Sequence, residues 1–441
     1  MDKTAQVNVF WFRRDLRLED NAGLYRACMA GKPLLLLFIF DKNILNQLHD
    51  RNDTRLTFIH KALSDLNQRV RQYGSTLITK YNTPELAWEE ILLEYSVGEV
   101  FLNSDYEPYA RERDSSIRSI LEARGISFTE FKDHVIFEKD EVVKDNGEPY
   151  TIYTPYRKKW YFKFHRQGHL KSFSSLALLP VLTKLPFREI PRLEELGFKA
   201  SSIEFPPISF TNICSAYKDT RDIPSLNATS RLSVHLRFGT ISIREVVSKA
   251  IQCDELTYLD ELIWREFYSM ILWFFPDTAT SSFRKEFDQI PWRNNESEFE
   301  AWCNGNTGFP MVDAGMRQLN ATGWMHNRLR MVTASFLCKD LLIDWRWGEA
   351  YFARKLIDYD MASNVGGWQW TCGSGTDAAP YFRIFNPALQ AKRFDPSLEF
   401  IMKWVPEFSD PFKYPAPIID HKMAAERALT ILKKTFSDHG Q

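Results

Sequence analysis

The residues most able to do chemistry gather between Asn364 and Pro387, where NVGGWQWTCGSGTDAAPYFRIFNP holds two tryptophans, a tyrosine, two phenylalanines, one arginine and four glycines. Glycine lets a backbone approach a ligand closely, and aromatic rings stack on flat ring systems. On pattern alone the segment fits core packing or a planar-ligand pocket equally well. Just upstream, LIDYD places Asp358 and Asp360 ahead of Asn364, and an aspartate buried near Arg330 would need that arginine as its partner. If Trp368 and Trp370 are helical, their two-residue spacing sends the indoles to nearly opposite faces, one toward a substrate and one inward.

Three other stretches have chemical potential. TSRLS, Thr229 to Ser233, follows Tyr217 and Arg221. Hydroxyls on a turn before a helix can offer oxygens and amides to a phosphate, although plain helix capping is the commoner use of such residues. In ELIWREFY, Glu261, Trp264, Arg265 and Tyr268 fall at i, i+3, i+4 and i+7 and share one helix face. Such a face could hydrogen-bond and stack a base-like group; an internal ion pair beside a core tryptophan is the more ordinary outcome. WMHNRLRM opens a helix expected to continue to Trp345, with Asn327, Arg330, Met331 and Ala334 on one face, where an amide needs a partner. Arg328 points elsewhere, within reach of a phosphate, and His326 reads as a structural side chain.

The elements that must position these residues fall into two regimes. Through residue 131 the pattern alternates: strands at Val7 to Phe12, Leu34 to Phe40, Leu77 to Lys80 and Glu99 to Asn103, with helices at Ala22 to Met29, Arg55 to Tyr73, Glu85 to Tyr95 and Glu107 to Ala123. Alternation of this kind predicts a parallel sheet, a Rossmann-like α/β domain, although GxGxxG is missing. Residues 132–211 lose the periodicity and read as an interdomain connector, with PRLEELG as one short helical piece. From 212 to 441 the spacing is helical: Ser242 to Gln252, Leu256 to Phe274, Met311 to Thr322, Trp324 to Trp345 and Glu349 to Ile357.

Composition bounds the reading. A chain of 441 residues with 44% hydrophobic and 26% charged residues is an ordinary globular protein too long for one core. No apolar run approaches the roughly 18 residues of a membrane span, and the polar start MDKTAQ is unlike a secretory leader, so a cytoplasmic protein without membrane contact is expected. Cys28, Cys214, Cys253, Cys303, Cys338 and Cys372 form no CxxC pair, which predicts reduced thiols and no structural metal. With a net charge of -1, any nucleic-acid binding must come from a local basic patch.

Taken together, FWFRRDLRLEDN near the start, TSRLS, ELIWREFY, WMHNRLRM and the GGWQW to FRIFNP run occur in the order and spacing of the photolyase and cryptochrome flavoproteins. The chain resembles that family end to end, and is most similar to its bacterial members that repair cyclobutane pyrimidine dimers. The resemblance implies an α/β antenna-binding domain (1–131), a linker (132–211) and an all-α FAD-binding domain (212–441). It implies a lyase that repairs UV-damaged DNA by light-driven electron transfer from excited reduced FAD to a flipped-out dimer. By position it implies FAD held by Tyr217, Thr229, Ser230, Leu232, Ser233, Arg265, Arg330, Asp358, Asp360 and Asn364, with Asn364 facing flavin N5. The dimer would lie between Trp264 and Trp370, with Glu261 and Asn327 on the pyrimidine edges and Met331 lining the pocket. Arg328 and Arg383 would contact DNA phosphates, and Trp368, Trp345 and Trp292 would relay electrons from surface to flavin.

Two departures from the family pattern bear on cofactors and packing. Where folate-binding members carry an amide-acid pair, this chain has Tyr109-Ala110, which counts against a folate antenna and leaves a deazaflavin, a second flavin or no antenna open. Tyr258 stands where some relatives have tryptophan. A blue-light receptor without repair activity would be expected to carry a long C-terminal tail, for which the stretch from Pro387 to Gln441 leaves little room. Repair of the (6-4) photoproduct would call for histidine in place of Asn327. The chain is expected to act as a monomer.

Overall fold

The computed structural model describes residues 6–167, 170–214, 216–410 and 412–437; most of the polar start, residues 1–5, lies outside them. The chain divides into two compact units, one of residues 1–142, 160–210 and 231–252, the other of residues 143–159, 211–230 and 253–441.

The first unit is built on a five-stranded parallel sheet of β1 (Val7–Phe12), β2 (Leu34–Asp41), β3 (Leu77–Asn82), β4 (Val97–Asn103) and β5 (Ser127–Phe131), in the order β3-β2-β1-β4-β5. Every residue of β1 and β2 is buried, which is why LLLLFIF runs apolar without alternation. Leu37 registers with Ile78 across β2 and β3, and Val100 with Phe128 across β4 and β5. Val9, Trp11, Leu37, Trp88 and Leu102 belong to its core. The first helix, Ala22–Met29, starts where Asn21 accepts a hydrogen bond from the Leu24 amide at 3.0 Å. The edge strand β5 is an element that the sequence reading misses, because SFTEF is short and largely open to solvent.

The second unit is helical. Its core gathers Trp302, Met316, Leu329, Phe336, Trp345, Phe352 and Trp368. Three expectations are corrected here. The stretch read as a connector contains the helix Tyr153–Gln167, whose Tyr153, Tyr156 and Trp160 are buried at the i, i+3 and i+7 spacing of one helical face. The single helix expected from Trp324 to Trp345 is broken: an α-helix spans Asn327–Ser335, a π turn follows at Phe336–Asp340, Leu342 takes φ 53°, and a new helix starts at Trp345. The break has a local cause, since Asp344 caps the new helix by accepting from the Arg346 amide at 3.0 Å. Finally, Cys214 and Cys253 are joined in a disulfide rather than free, their Cα atoms 5.0 Å apart. Spacing alone could not reveal a pair separated by 39 residues. Cys28, Cys303, Cys338 and Cys372 are buried thiols. Among the described residues no helix is long and apolar enough to cross a membrane.

Candidate functional site

Within the second unit a cavity of about 380 Å³ opens between helices. The helix Thr257–Phe274 buries Leu262, Ile263 and Phe267 and turns Glu261, Trp264, Arg265 and Tyr268 to the cavity, the stripe that ELIWREFY spells out. The helix Asn327–Ser335 supplies Asn327, Arg330, Met331 and Ala334. Its start is fixed by His326, whose Nδ1 accepts from the Arg328 amide at 3.1 Å. Burial lowers the His326 pKa to about 4, so the ring stays neutral and keeps the lone pair that the cap requires. Asp358 and Asp360 precede the helix Met361–Cys372, which adds Ser363, Asn364, Gly367, Trp368 and Trp370 to the lining. Asp360 caps that helix, accepting from the Ser363 amide at 3.1 Å.

The lining is charged and aromatic at once. Arg330 donates to both oxygens of Asp358, at 3.1 and 2.8 Å, and through Nε to the Met325 carbonyl at 2.9 Å. The buried aspartate expected to need this arginine has it. Glu261 is paired with Arg221 at 2.7 Å; burial raises the Glu261 pKa while Arg221 opposes the rise. Asn364 donates through Nδ2 to Glu349 Oε1 at 2.9 Å, and burial raises the Glu349 pKa. The Asn327 amide lies 4.0 Å from the Met331 sulfur, a weak acceptor, which leaves it able to bond a ligand edge.

Two neighbouring glycines do different things. A Cβ on Gly366 would lie 2.3 Å from the Tyr268 ring, so only glycine lets the two helices approach this closely. A Cβ on Gly367 would meet nothing within 4 Å: here the helix leaves open space instead of filling it. A helix face bare of side chains, flanked by Arg330, Asp358, Asp360 and Asn364, suits a flat polar group laid against the backbone, and the residues present therefore fit a flavin.

Both indoles of the WQW motif reach the cavity wall. Trp368 is buried, edge-on to Phe352 at 5.0 Å and to Trp302 at 6.1 Å, while Trp370 is half-buried. Trp345, fully buried in the helical core, and the partly buried Trp292 do not line the cavity. Neither do Tyr217, Thr229 and Ser230, but two of them meet the lining helix: Tyr217 packs edge-on to Tyr258 at 5.1 Å, and Ser230 Oγ lies 2.8 Å from the Tyr258 hydroxyl at the start of that helix. Asn212 Nδ2 donates to the Thr229 carbonyl at 3.5 Å. Leu232 and Ser233 open a short helix, Ser233–Phe238, that clusters with the first unit and starts without a side-chain cap. Arg328 is engaged by Asp222 at 2.8 Å and lies over the Phe394 ring, whereas Arg383 is exposed. The sequence reading missed Glu349, which no motif contained, and Tyr153, which an aromatic repeat in TIYTPYRKKW could have flagged.

A parallel α/β unit and a helical unit whose aromatic-walled cavity suits a flavin point to the class of flavoproteins. The family model described as the FAD binding domain of DNA photolyase matches residues 258–434, and the DNA photolyase model matches residues 8–174. The chain is 36% identical to the deoxyribodipyrimidine photo-lyase of a Synechococcus strain over 94% of each chain, and 37% identical to that of Escherichia coli over 96% of this chain and 98% of the relative. Among solved structures it is similar to a class III photolyase from Agrobacterium tumefaciens, with TM-score 0.84 and 31% identity over 99% of both chains. It is also similar to the Sulfolobus tokodaii photolyase solved with two FAD molecules, with TM-score 0.78 and 33% identity over 97% of this chain and all of that one. The chain belongs to the DNA photolyase family and carries its FAD-binding domain.

Proposed function

We propose that the cavity holds FAD with its mouth open to a cyclobutane pyrimidine dimer flipped out of UV-damaged DNA. The observation that carries this reading is the division of the lining. Polar groups that suit a flavin (Arg265, Arg330, Asp358, Asp360, Asn364) surround the bare backbone at Gly367, while Glu261, Trp264, Asn327, Met331 and Trp370 supply the flat faces and edge-seeking groups that suit paired bases. Reduced FAD, when bound and excited by blue or near-ultraviolet light, supplies the electron that opens the cyclobutane ring.

The chain's own residues do the rest. Arg330, neutralised by Asp358, gives the cofactor a fixed donor without a net buried charge. Asn364, whose Nδ2 is held by the Glu349 backbone and side-chain oxygens, would keep its Oδ1 for the flavin N5 position. Tyr217 and Ser230 complete the cofactor's support through Tyr258, with Thr229 next to Ser230 in the chain. Trp264 and Trp370 stack the two pyrimidines, each contact contributing about 1 to 3 kcal/mol. Extrusion of a base costs a few kcal/mol and least at a lesion that already distorts the duplex, which makes the site selective for damage. Exposed Arg383, and Arg328 once exchanged from Asp222, answer phosphates in spite of the net charge of -1. Trp368, Trp345 and Trp292 form the electron path that restores reduced FAD, with burial falling at its outer end. The N-terminal α/β unit takes the antenna chromophore, and a flavin is the candidate that the two-FAD relative supports. The enzyme works as a monomer in the cytoplasm.

The test is dark binding to a dimer-containing duplex. Trp264→Ala should weaken lesion affinity about tenfold or more while FAD stays bound; unchanged affinity would move the lesion site elsewhere.

A further inference from the structure

Trp264 does not stand alone in the cavity wall. The Tyr153 ring is stacked on it, with centroids 3.6 Å apart and planes 10° from parallel. Tyr153 is buried and does not line the cavity, whereas Trp264 does, so the tyrosine covers the indole face turned away from the open space. Phe267 meets the same indole edge-on at 5.6 Å and also packs edge-on to Tyr153 at 5.9 Å. The indole is thus held on one face and one edge.

Tyr153 is itself fixed. Its hydroxyl donates to the Asp260 carbonyl at 2.8 Å, one helical turn before Trp264, and its backbone amide donates to Asp377 Oδ2 at 3.2 Å. Four residues along the same helix, Arg157 Nε donates to Asp260 Oδ1 at 2.5 Å. The start of the helix Tyr153–Gln167 therefore grips Asp260 at backbone and side chain and lays the phenol ring against the next turn. None of these contacts uses the cavity face of Trp264.

We propose that Tyr153 is a positioning residue for lesion recognition: it clamps Trp264 in its stacking orientation before DNA arrives, so that a bound pyrimidine becomes the third layer of a Tyr153, Trp264 and base stack. A free indole would have to give up rotamer freedom on binding, while a clamped one has already done so on folding. Face-to-face aromatic contact is what the role requires, and the hydroxyl only anchors it. The inference rests on the assignment of Trp264 to the lesion site.

The test compares FAD-loaded Tyr153→Phe, Tyr153→Leu and Trp264→Ala proteins for dark binding to duplexes with and without a thymine dimer. Phe keeps the stack; Leu keeps apolar bulk without a ring. The expected result is Tyr153→Phe within about twofold of the parent and Tyr153→Leu weaker by about five- to tenfold on damaged DNA only, with FAD content unchanged in both. Equal lesion affinity for the Phe and Leu variants would overturn the proposal, as would an equal loss on undamaged DNA, which would indicate general loosening. If Trp264→Ala left lesion affinity unmoved, the lesion-site assignment would fall. A loss with Trp264→Ala and none with Tyr153→Leu would overturn only the clamp.

Discussion

Asp358 is buried, and the only way a carboxylate persists there is with charge-assisted hydrogen bonds, which Arg330 provides at both oxygens. That pair could be anticipated because a helix face placed Arg330 near an acidic run. Glu349 could not, since no motif contains it and nothing in the sequence of its helix marks this acid as facing a partner; only the fold brings it 2.9 Å from Asn364. Trp368 is the buried tryptophan of the WQW motif, with Phe352 and Trp302 edge-on around it, where it adjoins the cavity yet is shielded from solvent. Replacing it with phenylalanine keeps the packing and removes the oxidisable indole. Illuminated Trp368→Phe protein should all but lose the ability to reduce its oxidised FAD, followed by the decay of flavin absorbance in the presence of an external reductant; a parental rate would take Trp368 out of the path.

Elements position these residues through their ends and their gaps. The helix Met361–Cys372 is legible in the sequence only in part: Asp360 as its cap is a standard signal, but two adjacent glycines and two β-branched residues argue against helix, and packing overrides propensity. The open space at Gly367 supports a sharp prediction. Gly367→Leu raises helix propensity and places its Cβ where, the local helix backbone aside, no atom lies within 4 Å, so the protein should stay folded, with an unfolding temperature equal to or above that of the FAD-stripped parent, yet purify without FAD. A colourless, stable protein is the expected outcome; full flavin content would show that the cofactor lies elsewhere.

His326 makes the element scale titratable. Its pKa is depressed in the folded state from 6.5 to about 4, so the unfolded chain binds the proton more readily between those values. Stability contributed by the neutral cap is complete above pH 6.5 and is lost as pH falls toward 4, by an amount on the order of 3 kcal/mol. Unfolding curves from pH 7 to 4 should show this loss, and His326→Asn, which keeps a capping oxygen without a titratable ring, should be less stable at pH 7 but flatter across that window. The helix break after Ser335 belongs to the same scale. The largely apolar stretch ASFLCKDLLIDW conceals it, and periodicity alone extends the helix through it, because a π turn followed by a left-handed Leu342 leaves no compositional mark.

At the scale of the whole molecule, the alternation of apolar runs and amphipathic helices makes the parallel sheet readable almost strand by strand, because each buried strand must be apolar on both faces. The irregular middle is less readable: composition rich in Pro, Ser and Lys hides the helix Tyr153–Gln167, and the chain passes between its two compact units several times, which no linear boundary expresses. Most of the cavity residues are legible as motifs, but their convergence is not, since those motifs lie on three helices that only the fold brings together. The disulfide between Cys214 and Cys253 was illegible for the same reason.

The central claim, that light and bound FAD drive the opening of a cyclobutane dimer held at Trp264, is tested most directly by illuminating the purified, FAD-reduced protein with duplexes carrying either a cyclobutane thymine dimer or a (6-4) photoproduct, and measuring intact thymines against dark controls. Restoration of the cyclobutane lesion is expected in the light alone, with none of the (6-4) lesion. Thymines restored equally in the dark, or a cyclobutane dimer left untouched in the light by protein with its flavin fully reduced, would contradict it.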